Sequence, residues 1–388
     1  MRPLSILHLL SNRWWTGTAE PVLALTQGLL ERRQQVVLAA PAGSQVEQLA
    51  RKAGIPLLEG LHLNPRFHPW SWVHDVRTLS TFLRRTPVDI LHTHLSHDHW
   101  LGLSALTLLN PPPKRVPIDL RTVHTLRRPQ SLSNRWLLTR GAAHLITVSS
   151  TLQRDLIEGL QVVPSRVTAI AGAVDTQRFH PGLSGSLFRR ASALSSTTPL
   201  VGMVARIAPC RGHLTLVEAF AQVRAAIPAA RLVMVGKGEF RPQVEQRIRD
   251  LGLTDATLFT GYREDDLPEV LAALDVFVLL APGSEGSCRA VLEAMAVGKP
   301  VVAARVGALQ DIVLDGETGL LIEPHAHTAL AHAISRLFRA PEQARQMGLR
   351  GRQRIERVFS RERQVDTVLR LYRQLHAAQR ASSTTQHR

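Results

Sequence analysis

Cysteine is nearly absent from this chain of 388 residues: only Cys210 and Cys288 occur. Two widely separated thiols make neither a disulfide framework nor a zinc-finger spacing, and they fit a reducing compartment. No apolar run is long enough to span a bilayer. The start, MRPLSILHLL, passes directly into polar SNRWW, without the long apolar region and small-residue cleavage site of a secretory signal. A cytoplasmic location is therefore expected. Lysine is scarce too, at positions 52, 114, 237 and 299 only, so nearly all of the 47 basic residues are arginine. Against 31 acidic residues they leave a formal charge of +16. That sign suits polyanionic partners: nucleotide phosphates, anionic lipid head groups or nucleic acid. No RNA-binding aromatic motif or compact basic module accompanies it, so no specific nucleic acid is expected.

Short apolar runs do recur. LSILHLL, QVVLAA, VDILHTH, IDLRTVHT and AHLITVS read as buried parallel strands, with amphipathic stretches such as AEPVLALTQGLLERR between them. The second half repeats the scheme with LVGMVARI, ARLVMVG, ATLFTG, VFVLLAP and KPVVAARV. Strands alternating with helices imply βαβ units on a parallel sheet. Two such series, in a chain too long for one ordinary core, predict an α/β protein of two Rossmann-like domains. The expected division is an N-terminal domain over 1–182, a linker over 183–199 rich in Gly, Ser and Thr, and a C-terminal domain over 200–360. A helix over 361–380 and a disordered polar tail over 381–388 follow. Ligands of open parallel sheets bind beyond the carboxyl ends of the strands. Functional residues should therefore sit just after strands, in a cleft between the two sheets.

The stretch GSEGSCRAVLEAMAVGKPVV, 283–302, fits that place. A strand ends at Pro282, a loop follows, and a helix begins near Ser287 and stops at Gly298. Backbone N–H groups of Gly286, Ser287, Cys288 and Arg289 can bind anionic or hydroxyl oxygens. Glu285 stands in the loop and Glu293 about two turns along the helix, so the pair can reach two ends of one extended ligand. On spacing alone, a helix-dipole partner and an exposed helix residue fit equally well. In GMVARIAPCRGH, 202–213, Arg206 and Arg211 flank a loop at a strand end, an arrangement suited to a diphosphate. Gly236 and Gly238 around Lys237 permit a tight turn after another strand, although a lone GxG says little. His124 ends the strand IDLRTVHT. HTHLSHDHW, 92–100, places His92 and His94 on one face of a strand, which reads as cleft lining rather than a zinc site.

These residues carry a family resemblance. EGxxxxxLEAMAxGKPVVA followed by VGALQDIVLDGETGLLIEP resembles the glutamate-x7-glutamate region of retaining GT-B glycosyltransferases of family 4 (glycosyl transferases group 1). The likeness covers nearly the whole chain and is strongest over 200–325. It implies the GT-B fold, with the C-terminal helix returning to the N-terminal domain. It also implies transfer of a hexose-type sugar from a UDP- or GDP-linked donor to a glycan or lipid-linked acceptor, as in cell-envelope polysaccharide or lipopolysaccharide synthesis. The mechanism would be retaining, with neither metal nor cofactor. By the resemblance, Arg206 and Arg211 hold the donor diphosphate, Glu285 orients the transferred sugar and Glu293 binds the ribose. Gly236 and Lys237 border the nucleotide, Tyr262 stacks on the base, and His124 lies near the reaction centre. Gly17 belongs to a loop resembling the family's Gly-Gly-x-Glu. Trp14, Trp15, His92 and His94 fall on the acceptor side. IAGAVDTQRFHP, 170–181, resembles the family's segment before the linker and reads as interdomain hinge structure.

The chain departs from the family pattern at Thr18 (glycine in the family), Gly172 (asparagine), Arg211 (lysine), Ser287 (often phenylalanine) and Cys288 (often glycine). Three other readings stay open on these residues: a sugar-nucleotide epimerase or phosphorylase of the same fold, an inactive nucleotide-sugar-binding homologue, or a nucleic-acid binder. Two expectations go beyond the resemblance. Both thiols should lie near the diphosphate and react with alkylating agents. The arginine excess of the N-terminal half, including Arg84, Arg85, Arg127, Arg128 and Arg135, would dock the chain peripherally on an anionic membrane.

Overall fold

The computed structural model describes residues 2–14, 17–64, 67–109, 116–125, 131–281 and 288–385. The chain forms two compact units. Unit 1 comprises Met1–Gly172 and Arg361–Arg388; unit 2 comprises Ala173–Ser360.

Unit 1 holds a six-stranded parallel sheet. Its strands are β1 (Ser5–Leu9), β2 (Gln35–Ala39), β3 (Ile90–Thr93), β4 (Ile118–Val123), β5 (His144–Thr147) and β6 (Val167–Ala169). Their order is β2-β1-β3-β4-β5-β6. Every residue of β3, β4 and β5 is buried, as expected of parallel strands covered by helices on both faces. The C-terminal helix Arg361–Thr385 belongs to this unit and packs on helix Ala19–Glu31. A Cβ on Gly28 would stand 2.5 Å from Val365 Cγ2, so the absent side chain is what lets the two helices approach. Leu25, Leu29, Val365, Val368, Leu369 and Tyr372 join one buried cluster there.

Unit 2 repeats the architecture with β7 (Leu200–Val204), β8 (Arg231–Val235), β9 (Thr257–Gly261), β10 (Val276–Leu279), β11 (Val301–Ala304) and β12 (Gly319–Ile322). The order β12-β11-β10-β7-β8-β9 is that of a dinucleotide-binding sheet, with its reversal between β7 and β10. In unit 1 the reversal falls instead between β1 and β3.

Two expectations on organisation are corrected. The segment 183–199 is no linker but a built part of unit 2. It contains helix Ser186–Ala191, whose Phe188 is buried. Arg189 donates to the carbonyls of Ala273 at 2.7 Å, Thr198 at 2.8 Å and Ser195 at 2.9 Å, and pairs with Asp275 at 3.0 Å. One buried guanidinium thereby satisfies carbonyls that a Ser- and Thr-rich loop would otherwise leave to water. The chain crosses between units at Gly172/Ala173 and again at Ser360/Arg361. The tail, read as disordered from 381, continues as helix to Thr385.

Candidate active site

In unit 2 the loops leaving β7 and β10, on either side of the reversal, carry most of the selected residues. Arg206 follows β7, and its Nη2 lies 2.9 Å from Glu239 Oε2, both side chains exposed. An exposed pair of this kind is worth little, so an incoming polyanion can take the guanidinium. Arg211 closes the short turn Pro209–Arg211, and Gly212 takes φ +79° before helix His213–Ala226. A Cβ on Gly212 would stand 2.6 Å from Leu280 Cβ, so glycine lets this turn lie against the end of β10. Within the described residues, the buried Nε of Arg211 has no hydrogen-bond partner. His213, which the sequence reading passed over, is buried beside it. Burial, and then the Arg211 charge, brings this imidazole down to about 4. Its only sequence signal is a histidine opening a helix directly after Arg-Gly.

The two glycines around Lys237 let two loops lie close together. A Cβ on Gly236, where φ is +146°, would meet the Ala205 carbonyl oxygen at 2.1 Å; one on Gly238 would meet that of Ile207 at 2.0 Å. The loops after β7 and β8 run side by side, with Ile207 N donating to Lys237 O at 3.0 Å. Glycine is what permits that approach, and Lys237 stays exposed.

Glu293 lies on helix Arg289–Ala296 and is buried, with Arg289 Nε 2.6 Å from its Oε1. It is therefore no exposed helix residue; a buried carboxylate is held there by a half-buried arginine. Tyr262, after β9, is exposed and donates to Glu264 Oε2 at 3.2 Å. Partial burial, and then Glu264, raise its hydroxyl above the ordinary value; the charges of Arg289 and Glu293 also reach it. Cys288 caps the helix at φ +51°, ψ +38°. A left-handed residue bearing a Cβ costs about 1 kcal/mol, which is why glycine suits this position. The Cys288 thiol is buried and that of Cys210 exposed, which corrects the expectation that both meet alkylating agents. Glu285, Gly286 and Ser287 lie outside the described residues.

In unit 1 the reversal between β1 and β3 gathers histidines. Parallel register sets His8 beside His92. His8 Nδ1 lies 3.0 Å from His94 Nε2, and the two rings stack at 5.3 Å. His92 is bonded on both nitrogens, Nδ1 to Tyr372 Oη at 2.5 Å and Nε2 to Thr122 Oγ1 at 2.7 Å. His124, just after β4, has its ring 5.8 Å from that of His94. Burial pushes His8 down to about 3. It also drives His92 and His94 well below their ordinary value, with neighbouring imidazoles adding to it. His124 falls to about 4, through burial and then the Arg121 charge. These rings are neutral. His92 and His94 are fully covered, so the expected acceptor-side contact is withdrawn: both serve a hydrogen-bonded stack, and His8 is the member sequence reasoning missed. His8, His92 and His94 place one nitrogen each within 4.8 Å of the others, but both His92 nitrogens are already committed. Of the remaining residues, Trp14 is exposed and Gly17 forms the turn before helix Ala19–Glu31. Trp15 lies outside the described residues.

Comparison with known proteins agrees with this geometry. The family model described as "Glycosyltransferase Family 4" matches residues 15–178, and that described as "Glycosyl transferases group 1" matches 186–354. The chain is 29% identical to the UDP-Gal:alpha-D-GlcNAc-diphosphoundecaprenol alpha-1,3-galactosyltransferase of Escherichia coli, over 69% of this chain and 71% of the relative. It is 26% identical to a GDP-mannose-dependent alpha-(1-6)-phosphatidylinositol monomannoside mannosyltransferase of Mycolicibacterium smegmatis, over 87% and 89%. Among solved structures, Anabaena HepE in complex with UDP and glucose shares the fold at a TM-score of 0.79 and 21% identity, covering 95% of this chain and 99% of that one. Two six-stranded parallel sheets of this kind give the GT-B fold. The chain belongs to the group 1, family 4 glycosyltransferases.

Proposed function

We propose that the chain transfers a hexose from a nucleoside diphosphate sugar, UDP-linked in the first instance, to a lipid-linked or glycan acceptor, with retention and without a metal. The observation that carries the donor site is the reversal in unit 2. Around it, Arg206 and Arg211 follow β7, Lys237 follows β8, and the Arg289–Glu293 pair follows β10. Breaking the anomeric C–O bond puts charge on the departing diphosphate, and Arg206 and Arg211 stabilise that charge where it develops. The exposed Arg206–Glu239 pair and the unpartnered Arg211 Nε leave both guanidiniums available. Glu293 accepts from ribose hydroxyls, with Arg289 fixing its carboxylate. Glu285 orients the sugar by its hydroxyls. The lipid-linked acceptor is the reading favoured by relatives whose names carry diphosphoundecaprenol and phosphatidylinositol acceptors. Among the described residues no helix is long and apolar enough to cross a membrane, so a lipid-linked acceptor would be met at the membrane surface.

The test is a thermal-shift panel of UDP, GDP, ADP and their sugars, on wild type and Glu293→Ala. A ligand at 100 times its Kd stabilises the native state by about 2.7 kcal/mol. One nucleotide class should raise Tm in wild type and do so less in the variant. No shift with any nucleotide refutes the donor site. The anomeric configuration of the product, read by NMR, tests retention, and activity in chelator tests independence from metal.

A further inference from the structure

Exposed aromatic side chains gather on one part of unit 1. Helix Pro69–Arg85 opens on Trp70, 82% exposed, shortly after Phe67, 73% exposed. The Phe67 ring lies 6.0 Å from that of Trp72. Trp72 in turn meets His97 of helix Ser96–Thr107 edge-on at 5.3 Å. One turn along that helix, Trp100 stacks on Trp136 at 5.9 Å with 17° between the planes. Trp136 ends helix Leu132–Trp136 and is 47% exposed; Leu132, at its start, is 86% exposed. A line of rings thus crosses three helices. The half-buried Trp72, His97 and Trp100 lie between two exposed ends, Phe67 with Trp70 and Leu132 with Trp136; single surface apolar residues need no explanation, but such a grouping does.

The charge around this row has one sign. Arg77, Arg84, Arg85, Arg135 and Arg140 are exposed on these helices and on the turn Leu137–Gly141. The same elements hold two carboxylates, both buried and occupied. Asp75 accepts the backbone N–H groups of His62 and Leu63, and Asp98 those of Ser11 and Leu95. No exposed carboxylate remains on them. Along the outer side of Pro69–Arg85, Trp70, Val73, Arg77 and Arg84 recur at helical spacing. The helix therefore carries rings at one end of its exposed face and guanidiniums at the other.

We propose that this face is a docking surface for an anionic lipid bilayer. Aromatic side chains settle at head-group depth, where an apolar ring and a polar edge are both accommodated. Arginines beside them pair with lipid phosphates. A polyanion such as nucleic acid would account for the arginines but leaves Phe67, Trp70 and Leu132 exposed to water without a role. The inference deepens the lipid-linked acceptor reading by naming the surface that meets the lipid, and it does not depend on the donor site.

The test is co-sedimentation of the full chain with phosphatidylcholine vesicles, with and without phosphatidylglycerol. Two double variants accompany it, Phe67→Ser/Trp70→Ser and Arg77→Gln/Arg85→Gln, both at exposed positions. Wild type should bind the phosphatidylglycerol vesicles selectively, with a blue shift of tryptophan emission. Loss of the two arginines should weaken binding by about 30-fold. Loss of the two rings should weaken it by at least about tenfold. Equal binding to both vesicle types, binding to neither, or unchanged binding by the ring variant overturns the proposal; the last outcome would leave general polyanion attraction. UDP stabilisation is measured on the same proteins. A nucleotide shift without vesicle binding removes the docking surface alone. Vesicle binding without any nucleotide shift supports the docking surface and removes the proposed donor site.

Discussion

Acidification should act against unit 1 through His8, and the size of that share follows from its burial. This imidazole is buried against His92 and His94 and takes up a proton only near 3 in the folded chain, against 6.5 when free. Below pH 6.5 the unfolded chain binds a proton at His8 and the folded chain does not, so stability falls as pH falls. At about pH 5 the gap from 6.5 amounts to about 2 kcal/mol in favour of the unfolded state. His124, at about 4, acts in the same direction with a similar share at about pH 5, because it too stays unprotonated there in the folded chain. His92 and His94 also add to it. Asp98 opposes them: burial raises it to about 7, so it takes up its proton on folding and gains stability on acidification. At about pH 5 that gain is about 2–3 kcal/mol, of the same order as the His8 loss, so the His8 share is read from a variant. All six tryptophans belong to unit 1, so tryptophan fluorescence reports its unfolding without a signal from unit 2. With a urea slope of about 2 kcal/mol per molar, His8 alone should lower the midpoint by about 1 M between about pH 7.5 and about pH 5. His8→Asn keeps a hydrogen-bonding group toward His94 but does not titrate. Its pH dependence should be shallower than wild type by about 2 kcal/mol over the same range. An Asn variant with the same pH dependence as wild type would refute the reasoning.

Four further outcomes test the packing and the site. Gly348→Ala should lower the Tm of unit 2 sharply, since the new Cβ would stand 2.0 Å from the Gly298 carbonyl oxygen; overpacking of this kind costs about 1–3 kcal/mol. Gly43→Ala, left-handed but with nothing within 4 Å, should cost only about 1 kcal/mol in the same thermal melt. Arg352→Lys should destabilise unit 2 by about 2 kcal/mol in calorimetry, because Arg352 spans the carbonyls of Phe179, Ala296 and Thr176 and a single ammonium cannot. Mass spectrometry after iodoacetamide should find Cys210 modified in the native protein and Cys288 only after denaturation, as their exposures require.

What could be read from the sequence divides by the range of the interaction. The alternation of strands was legible because a parallel strand buried on both faces is apolar along its whole length, as LVGMV and VFVL are. Arg206 and Glu293 were legible because strand ends and helix starts are local features. The stretch 183–199 misled because its composition is that of a loop, whereas Arg189 finds its carbonyls and its carboxylate partly on residues more than eighty positions away. His8 was invisible for the same reason. It is one polar residue in an apolar strand, and its partner His94 arrives only when β1 and β3 pair in register. The glycines around Lys237 show a third case, in which a turn read locally also serves a long-range contact. They admit a neighbouring backbone at Ala205 and Ile207.

The same distinction decides how the departures from the family pattern should be weighed. Arg211 for lysine keeps the cation, and its turn is fixed by Gly212 against Leu280, so the charge remains at the reversal between β7 and β10. Cys288 stands where glycine is usual, yet it holds the left-handed backbone that the position demands. A Cβ there pays with strain at the start of the helix that carries Glu293. Among the described residues, the left-handed backbone at Cys288 and the glycine-fixed turn at Gly212 are thus both present beside the changed side chains.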